Sequence, residues 1–111
     1  MYKIVIRVDA SDISELINNI PTLRDELGRR YECSGTTTSF ICISDNDMLI
    51  KVLPTLMKAA RGLKSEESLV PSPRPYFLIS IEGSALNKLL EAWNLITEVL
   101  KSVGLRYVLT E

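Results

Sequence analysis

Two stretches of this chain repeat each other without a gap. Ser11-Asp12, Leu16-Ile17 and Ile20-Pro21-Thr22-Leu23 recur at Ser44-Asp45, Leu49-Ile50 and Leu53-Pro54-Thr55-Leu56, with seven identities over thirteen aligned positions (11–23 and 44–56). A looser third copy starts at Ser84, with Leu89-Leu90 and Trp93 at the same spacings. A short β-type run precedes each copy. The repeat therefore predicts β-α units with equivalent packing, and Pro21 and Pro54 at equivalent backbone breaks, since proline removes a helix donor and biases the preceding residue away from α geometry.

The flanking patterns fill in the order. Tyr2, Ile4, Ile6 and Val8 alternate with Lys3, Val5 and Arg7, a half-buried strand. Ser11 is a good N-cap, and Asp12 and Glu15 suit the positive end of the helix that follows, which stops at Gly28. Residues 29–33 and 37–43 read as a hairpin turning through Ser34-Gly35-Thr36. The second repeat then predicts a helix over 44–56 and beyond, with Leu49, Ile50, Leu53, Leu56 and Met57 apolar. Lys64 to Pro75 holds three prolines and three serines, and reads as a mobile loop rather than a strand. Tyr76 to Ile81 is an apolar strand. Gly83-Ser84 opens a helix with Leu86, Leu89, Leu90, Trp93, Ile96, Leu100 and Val103 on one face, which Gly104 ends. Leu105 to Thr110 is a further strand. The 111 residues make one domain, 1–111. The fold class is α+β, a ferredoxin-like split β-α-β (β-α-β-β-α-β) extended by a C-terminal helix and strand. Had residues 29–33 not formed a strand, a plain β-α repeat with a more parallel sheet would follow.

Composition limits the chemistry. There is no histidine, which removes the commonest general base near neutral pH and the commonest metal ligand. Net charge is −1, so no global field favours nucleic acid or an anionic membrane. No run approaches the roughly 20 apolar residues of a membrane span. The two cysteines, Cys33 and Cys42, lack zinc spacing. With a turn at Gly35-Thr36, Cys33 would face Thr38 and Cys42 would lie out of bonding reach, so both read as reduced thiols of a cytoplasmic protein.

No catalytic, cofactor-binding or metal site emerges. Asp9, Asp12, Asp45, Asp47 and Glu82 mark strand-to-helix junctions, where acids cap helices; together on one edge they would suit a cation. Arg29 and Arg30 after one helix, and Lys58, Arg61 and Lys64 after the next, would form a basic patch for RNA or another acidic partner, although cations at helix C-termini also serve the dipole. The sheet face away from the helices would carry Phe40, Cys42, Tyr76 and Leu78, too apolar to leave in water, so a homodimer is expected. Trp93, the only tryptophan, fits the core or an interface anchor.

Residues 2–63 resemble the small dimerising subunit of the KEOPS tRNA-modification complex. That family has a β-α-β-β-α unit in which a strand runs into an acidic cap and a leucine-spaced helix, as in Ser39 to Ala60. Leu90-Glu91-Ala92-Trp93-Asn94 is a similar helix pattern. Pro54 and the additional Tyr76 to Glu111 depart from the family. The resemblance implies a non-catalytic scaffold that dimerises and bridges catalytic partners near tRNA. The sequence reading is thus a non-enzymatic, dimerising assembly module without cofactors, with protein partners and an RNA-modifying complex as its setting. A small-ligand-binding regulatory domain of ferredoxin-like type is the alternative, and a metal enzyme using Asp9, Asp45 or Glu82 stands third.

Overall fold

A computed structural model describes residues 1–9, 13–44, 47–59 and 69–110. The elements are β1 (Tyr2–Asp9), α1 (Ile13–Gly28), β2 (Glu32–Gly35), β3 (Phe40–Ser44), β4 (Met48–Ala59), β5 (Leu69–Gly83), α2 (Leu86–Ser102) and β6 (Arg106–Thr110). The six strands form one sheet in the order β2-β3-β4-β5-β1-β6, and every neighbouring pair is antiparallel. The α+β class expected from the sequence holds.

Both helices pack on one sheet face. Ile6 and Val8 of β1, Phe40 and Cys42 of β3, Met48, Ile50 and Val52 of β4, and Phe77, Ile79 and Ile81 of β5 point to that face and are buried. Leu16, Ile20, Leu23 and Leu27 of α1 meet them, as do Leu89, Ala92, Ile96, Val99 and Leu100 of α2. The spacing is period 2 in the strands and 3–4 in the helices, as each geometry requires. Helix α2 ends in a Schellman turn. Leu105 N donates to Leu100 O (2.9 Å), Gly104 N donates to Lys101 O (3.1 Å), and Gly104 takes φ 76°, a value that favours glycine.

The second repeat copy is not a helix. Residues 48–59 form β4, so the two copies fold differently and the repeat carries no shared structure. The run Met48, Ile50, Val52 alternates with Leu49, Lys51, Leu53, and the period-2 set is the buried one. Ile50, Val52 and Thr55 are β-branched, which favours the strand further. Pro21 does not break α1, which runs continuously from Ile13 to Gly28. Ile17, whose carbonyl loses its donor to Pro21, lies on the exposed side of the helix.

The expected loop Lys64 to Pro75 is corrected as well. Its residues 69–75 belong to β5, with Met57 opposite Pro71, Lys58 opposite Val70 and Ala59 opposite Leu69. Residues 64–68 lie outside the described set, as do the expected cap Ser11-Asp12 and Asp45. β4 and β5 outrun their neighbours, because β3 ends opposite Val52 and β1 ends opposite Tyr76. Pro71 therefore lies where the strand has a partner on one side only, and Pro73 and Pro75 fall in the register irregularity between the Thr55–Tyr76 and Met57–Pro71 pairs, both places where a sheet accepts proline.

The hairpin register also differs from expectation. The turn is centred on residues 36–39, with Thr36 N donating to Ser39 O (2.9 Å). Cys33 therefore faces Cys42 rather than Thr38, and the two are joined by a disulfide. The expected reduced thiols are thus corrected, and the cause is a turn placed two residues later than the Gly35-Thr36 signal suggested. Gly35 takes φ 115° with the Ser39 carbonyl close by, so glycine is needed at the entry to that turn.

Candidate functional site: an uncovered sheet face and a free edge

The face away from the helices is built from the alternate residues of each strand. Across it run the rows Glu32, Ile43, Leu49, Glu82, Lys3; then Ser34, Ile41, Lys51, Ser80, Val5, Thr110; then Leu53, Leu78, Arg7, Val108; then Thr55, Tyr76, Asp9, Arg106. Ile41 (38% exposed), Ile43 (41%), Leu53 (46%) and Val108 (52%) hold apolar surface in solvent there. Polar residues subdivide the face. Arg7 lies over the Tyr76 ring (4.1 Å to the centroid) and bonds through Nε to Asp9 Oδ1 (2.9 Å). Lys51 Nζ approaches Glu82 Oε1 at 3.9 Å.

The stripe expected from sequence divides between two faces. Tyr76 and Leu78 are on the uncovered face, half-buried, whereas Phe40 and Cys42 are buried beneath the helices. Ile41 and Ile43 take the outward places, and the signal for them was the parity of β3. Trp93 is half-buried against the core, edge-to-face with Tyr107 at 5.9 Å between ring centroids.

The basic patch is not assembled as expected. Arg29 and Arg30 border a cleft of about 480 Å³ with Gly28, Tyr31, Glu32, Ile43 and Ser44. Lys58 lies ten residues along β4 from Met48, the residue opposite Ser44, or about 33 Å at strand rise. Arg61 and Lys64 lie outside the described residues. In the cleft, burial pushes the Tyr31 phenol above its ordinary pKa; Arg30 opposes that and Glu91 adds to it.

The junction acids are distributed too. Asp9 faces Tyr76 at one end of β1, while Glu82 faces Lys3 near the other, about 20 Å away along the strand. Asp47 bonds Lys88 of α2 (2.6 Å). Among the described residues, no three His, Cys, Asp or Glu side chains gather as metal ligands would, and no helix is long and apolar enough to cross a membrane.

The two sheet edges differ. Thr36 N→Ser39 O fixes which residues of β2 and β3 bond each other, and Ser84 N→Asp47 O (3.3 Å) does the same for β4 and β5. Alternation in antiparallel ladders carries the parity across the sheet. Cys33 and Gly35 then turn their backbone groups outward on β2, and Tyr107 and Leu109 do so on β6. On β2, Arg24 covers the rim, donating from Nε to Thr36 O (3.2 Å) and from Nη2 to Gly35 O (3.4 Å). Nothing comparable covers β6 among the described residues, and Leu109 is 63% exposed beside Val108.

The architecture is that of an α+β protein with a six-stranded antiparallel sheet and two helices on one face. It is similar to PA4090 from Pseudomonas aeruginosa, solved by NMR. The TM-score is 0.58 at 12% sequence identity, over 99% of this chain and 96% of that one. The two share a fold. No protein-family model matches the sequence, and no curated protein matches it.

Proposed function

We propose that this protein is a non-enzymatic assembly module that self-associates and holds other proteins together. The observation that carries this reading is the apolar surface left in solvent: Ile41, Ile43, Leu53 and Val108 on the uncovered sheet face, continuing to Leu109 on the edge. Ile41, Ile43 and Leu53 lie together on β3 and β4, and Val108 with Leu109 forms a second apolar area on β6, separated from the first by Arg7. Exposed apolar surface of this kind marks interaction surfaces in folded proteins. The setting we propose, an RNA-modifying complex in which the chain scaffolds catalytic partners, comes from the resemblance to the small KEOPS subunit, although Met48–Ala59, read as a helix in that resemblance, is the strand β4. The pattern Leu90-Glu91-Ala92-Trp93-Asn94, part of that resemblance, lies within α2.

We further read the fold as ferredoxin-like with an inserted hairpin. Strands β1, β4, β5 and β6 with α1 and α2 follow the order β-α-β-β-α-β, and the four strands lie side by side as β4-β5-β1-β6. β2 and β3 are the insertion on this reading. The C-terminal helix and strand complete the unit instead of extending it.

Light scattering on the full chain at micromolar concentration tests self-association. The expected mass exceeds 12.5 kDa and rises with concentration. A particle of 12.5 kDa at every concentration contradicts the reading. It would favour the ligand-binding alternative, with the Arg29–Arg30 cleft as its site.

A further inference from the structure

We propose that β6 is the strand through which two copies of this chain join, antiparallel, about a two-fold axis at Val108. The proposal rests on the self-associating reading above and assigns the surface responsible for it. β6 is paired with β1 along its whole length, Asp9 to Arg106 through Val5 to Thr110, without a bulge. Val108 turns its backbone groups inward, and Tyr107 and Leu109 turn theirs outward. A second copy related by a two-fold at Val108 then sets Tyr107 opposite Leu109 of the second copy, and Leu109 opposite its Tyr107. Both are bonding positions, so each pair exchanges two backbone hydrogen bonds. Val108 faces Val108 of the second copy at a non-bonding position, where side chains approach most closely. Any even shift of register moves this match away from the centre of the strand.

Side chains agree with the same register. Arg106 is the one charged residue of β6, and it would face Thr110 of the second copy, so no like charges oppose each other. Val108 would meet its equivalent on the uncovered face. Tyr107 and Leu109 would meet on the helix face, beside Trp93, which already touches Tyr107. Leu86 and Leu90 of α2 are exposed and share the helical side of Trp93 by spacing, so the apolar surface continues from strand to helix. Soluble proteins protect a free edge with lysine, proline, a bulge or a covering side chain. Arg24 supplies such cover on β2, whereas among the described residues the five-residue β6 has only the charge of Arg106 at its first position, with no lysine, proline, bulge or covering side chain. A two-fold strand-to-strand joint removes the exposed edge and leaves most of the uncovered sheet face free for other partners.

Light scattering of the wild-type chain comes first: a monomer throughout overturns both this proposal and the assembly reading. Where the wild type dimerises, Val108→Cys locates the contact. Non-bonding antiparallel partners have Cα atoms about 4.5 Å apart, within disulfide reach. Air oxidation should give a covalent dimer of twice 12.5 kDa on a non-reducing gel, reversed by a thiol reductant. Leu53→Cys on the sheet face should give none. Val108→Lys, placing two ammonium groups at the axis, should raise the dimer dissociation constant at least tenfold, and Leu53→Lys should leave it unchanged. A wild-type dimer that Val108→Cys fails to lock, or that Leu53→Lys dissociates and Val108→Lys does not, overturns the edge joint. The assembly reading then stands, with the sheet face as its contact.

Discussion

At the scale of single residues, close approach and burial decide outcomes. Gly83 lies where a Cβ would meet the Asp47 carbonyl oxygen at 2.5 Å and Leu89 Cδ1 at 3.0 Å. The oxygen is backbone and cannot swing aside, so Gly83→Ala should cost about 1–3 kcal/mol, the usual range for overpacking. Gly28 is the control: a Cβ there meets nothing within 4 Å. Gly28→Ala should stabilise by up to about 1 kcal/mol, because alanine loses less backbone freedom in a helix. Urea midpoints of the two variants should move in opposite directions. The Cys33–Cys42 disulfide closes a loop with a sequence separation of nine, and its loss should cost about 2–3 kcal/mol by the chain-entropy argument. Intact mass should show two hydrogens fewer than the dithiol, and reductant should lower the melting temperature. Tyr31 sets a pH dependence. Its folded pKa is raised by burial first, with Glu91 adding and Arg30 opposing. The neutral phenol is thus favoured in the fold. Its contribution is fully present below the unfolded value near 10 and is lost as pH rises through the folded value. Tyr31→Phe should flatten the alkaline limb of a stability–pH curve; an unchanged limb would show that this phenol does not govern it.

At the scale of elements, backbone parity explains what the sequence pattern misassigned. Pro54 belongs to the set of β4 residues whose backbone groups face β3, and β3 has already ended opposite Val52. Its missing N–H therefore costs the ladder nothing. Pro54→Ala should change stability by less than about 1 kcal/mol, in line with no hydrogen bond gained or lost. Leu53 faces β5 at the bonding position opposite Leu78, so Leu53→Pro should cost at least the roughly 1–3 kcal/mol of an unmade backbone bond. Equal effects in denaturant titrations of the two variants would contradict the deduced parity. β1 and α2 were legible because each shows one period clearly. α1 was legible in extent but not in its unbroken passage through Pro21. β6 and the core of β5 were legible because each is a short β-rich run bounded by turn residues. The run from Met48 was not. Leu49, Leu53 and Leu56 fit a helix, while Met48, Ile50 and Val52 fit a strand, and the repeat pulled the choice toward the helix. The β-branched residues and Pro54 were the local signals for a strand. Burial under α1 and α2 settles the competition, which is a tertiary effect that no window of sequence contains. Cys42 was misplaced for a related reason. A turn signal locates a hairpin to within a few residues, and each one-residue displacement of the turn centre moves every cross-strand partner by two.

At the scale of the whole molecule, the chain spends its two helices on one sheet face, and the surface properties follow. The uncovered face keeps Ile41, Ile43, Leu53 and Val108 in water, and β6 adds an uncovered rim with Leu109. The sequence foretold an apolar sheet face needing cover, but with Phe40 and Cys42 on it. Strand parity exchanges those residues for Ile41 and Ile43, since one step along a strand reverses the face. Neither the free edge nor its self-matching register was legible, because both depend on the sheet order, which joins β1 to β6 across nearly the full length of the chain. Amide hydrogen exchange followed across protein concentration tests the central claim most directly. In isolated chains the outward N–H groups of Tyr107 and Leu109 meet solvent, and in the joined sheet both are bonded. The two amides should exchange slowly at concentrations where light scattering reports a dimer and speed up on dilution, while the inward amide of Val108 stays protected throughout. Fast exchange at Tyr107 and Leu109 in a sample that is wholly dimeric would contradict the joint through β6.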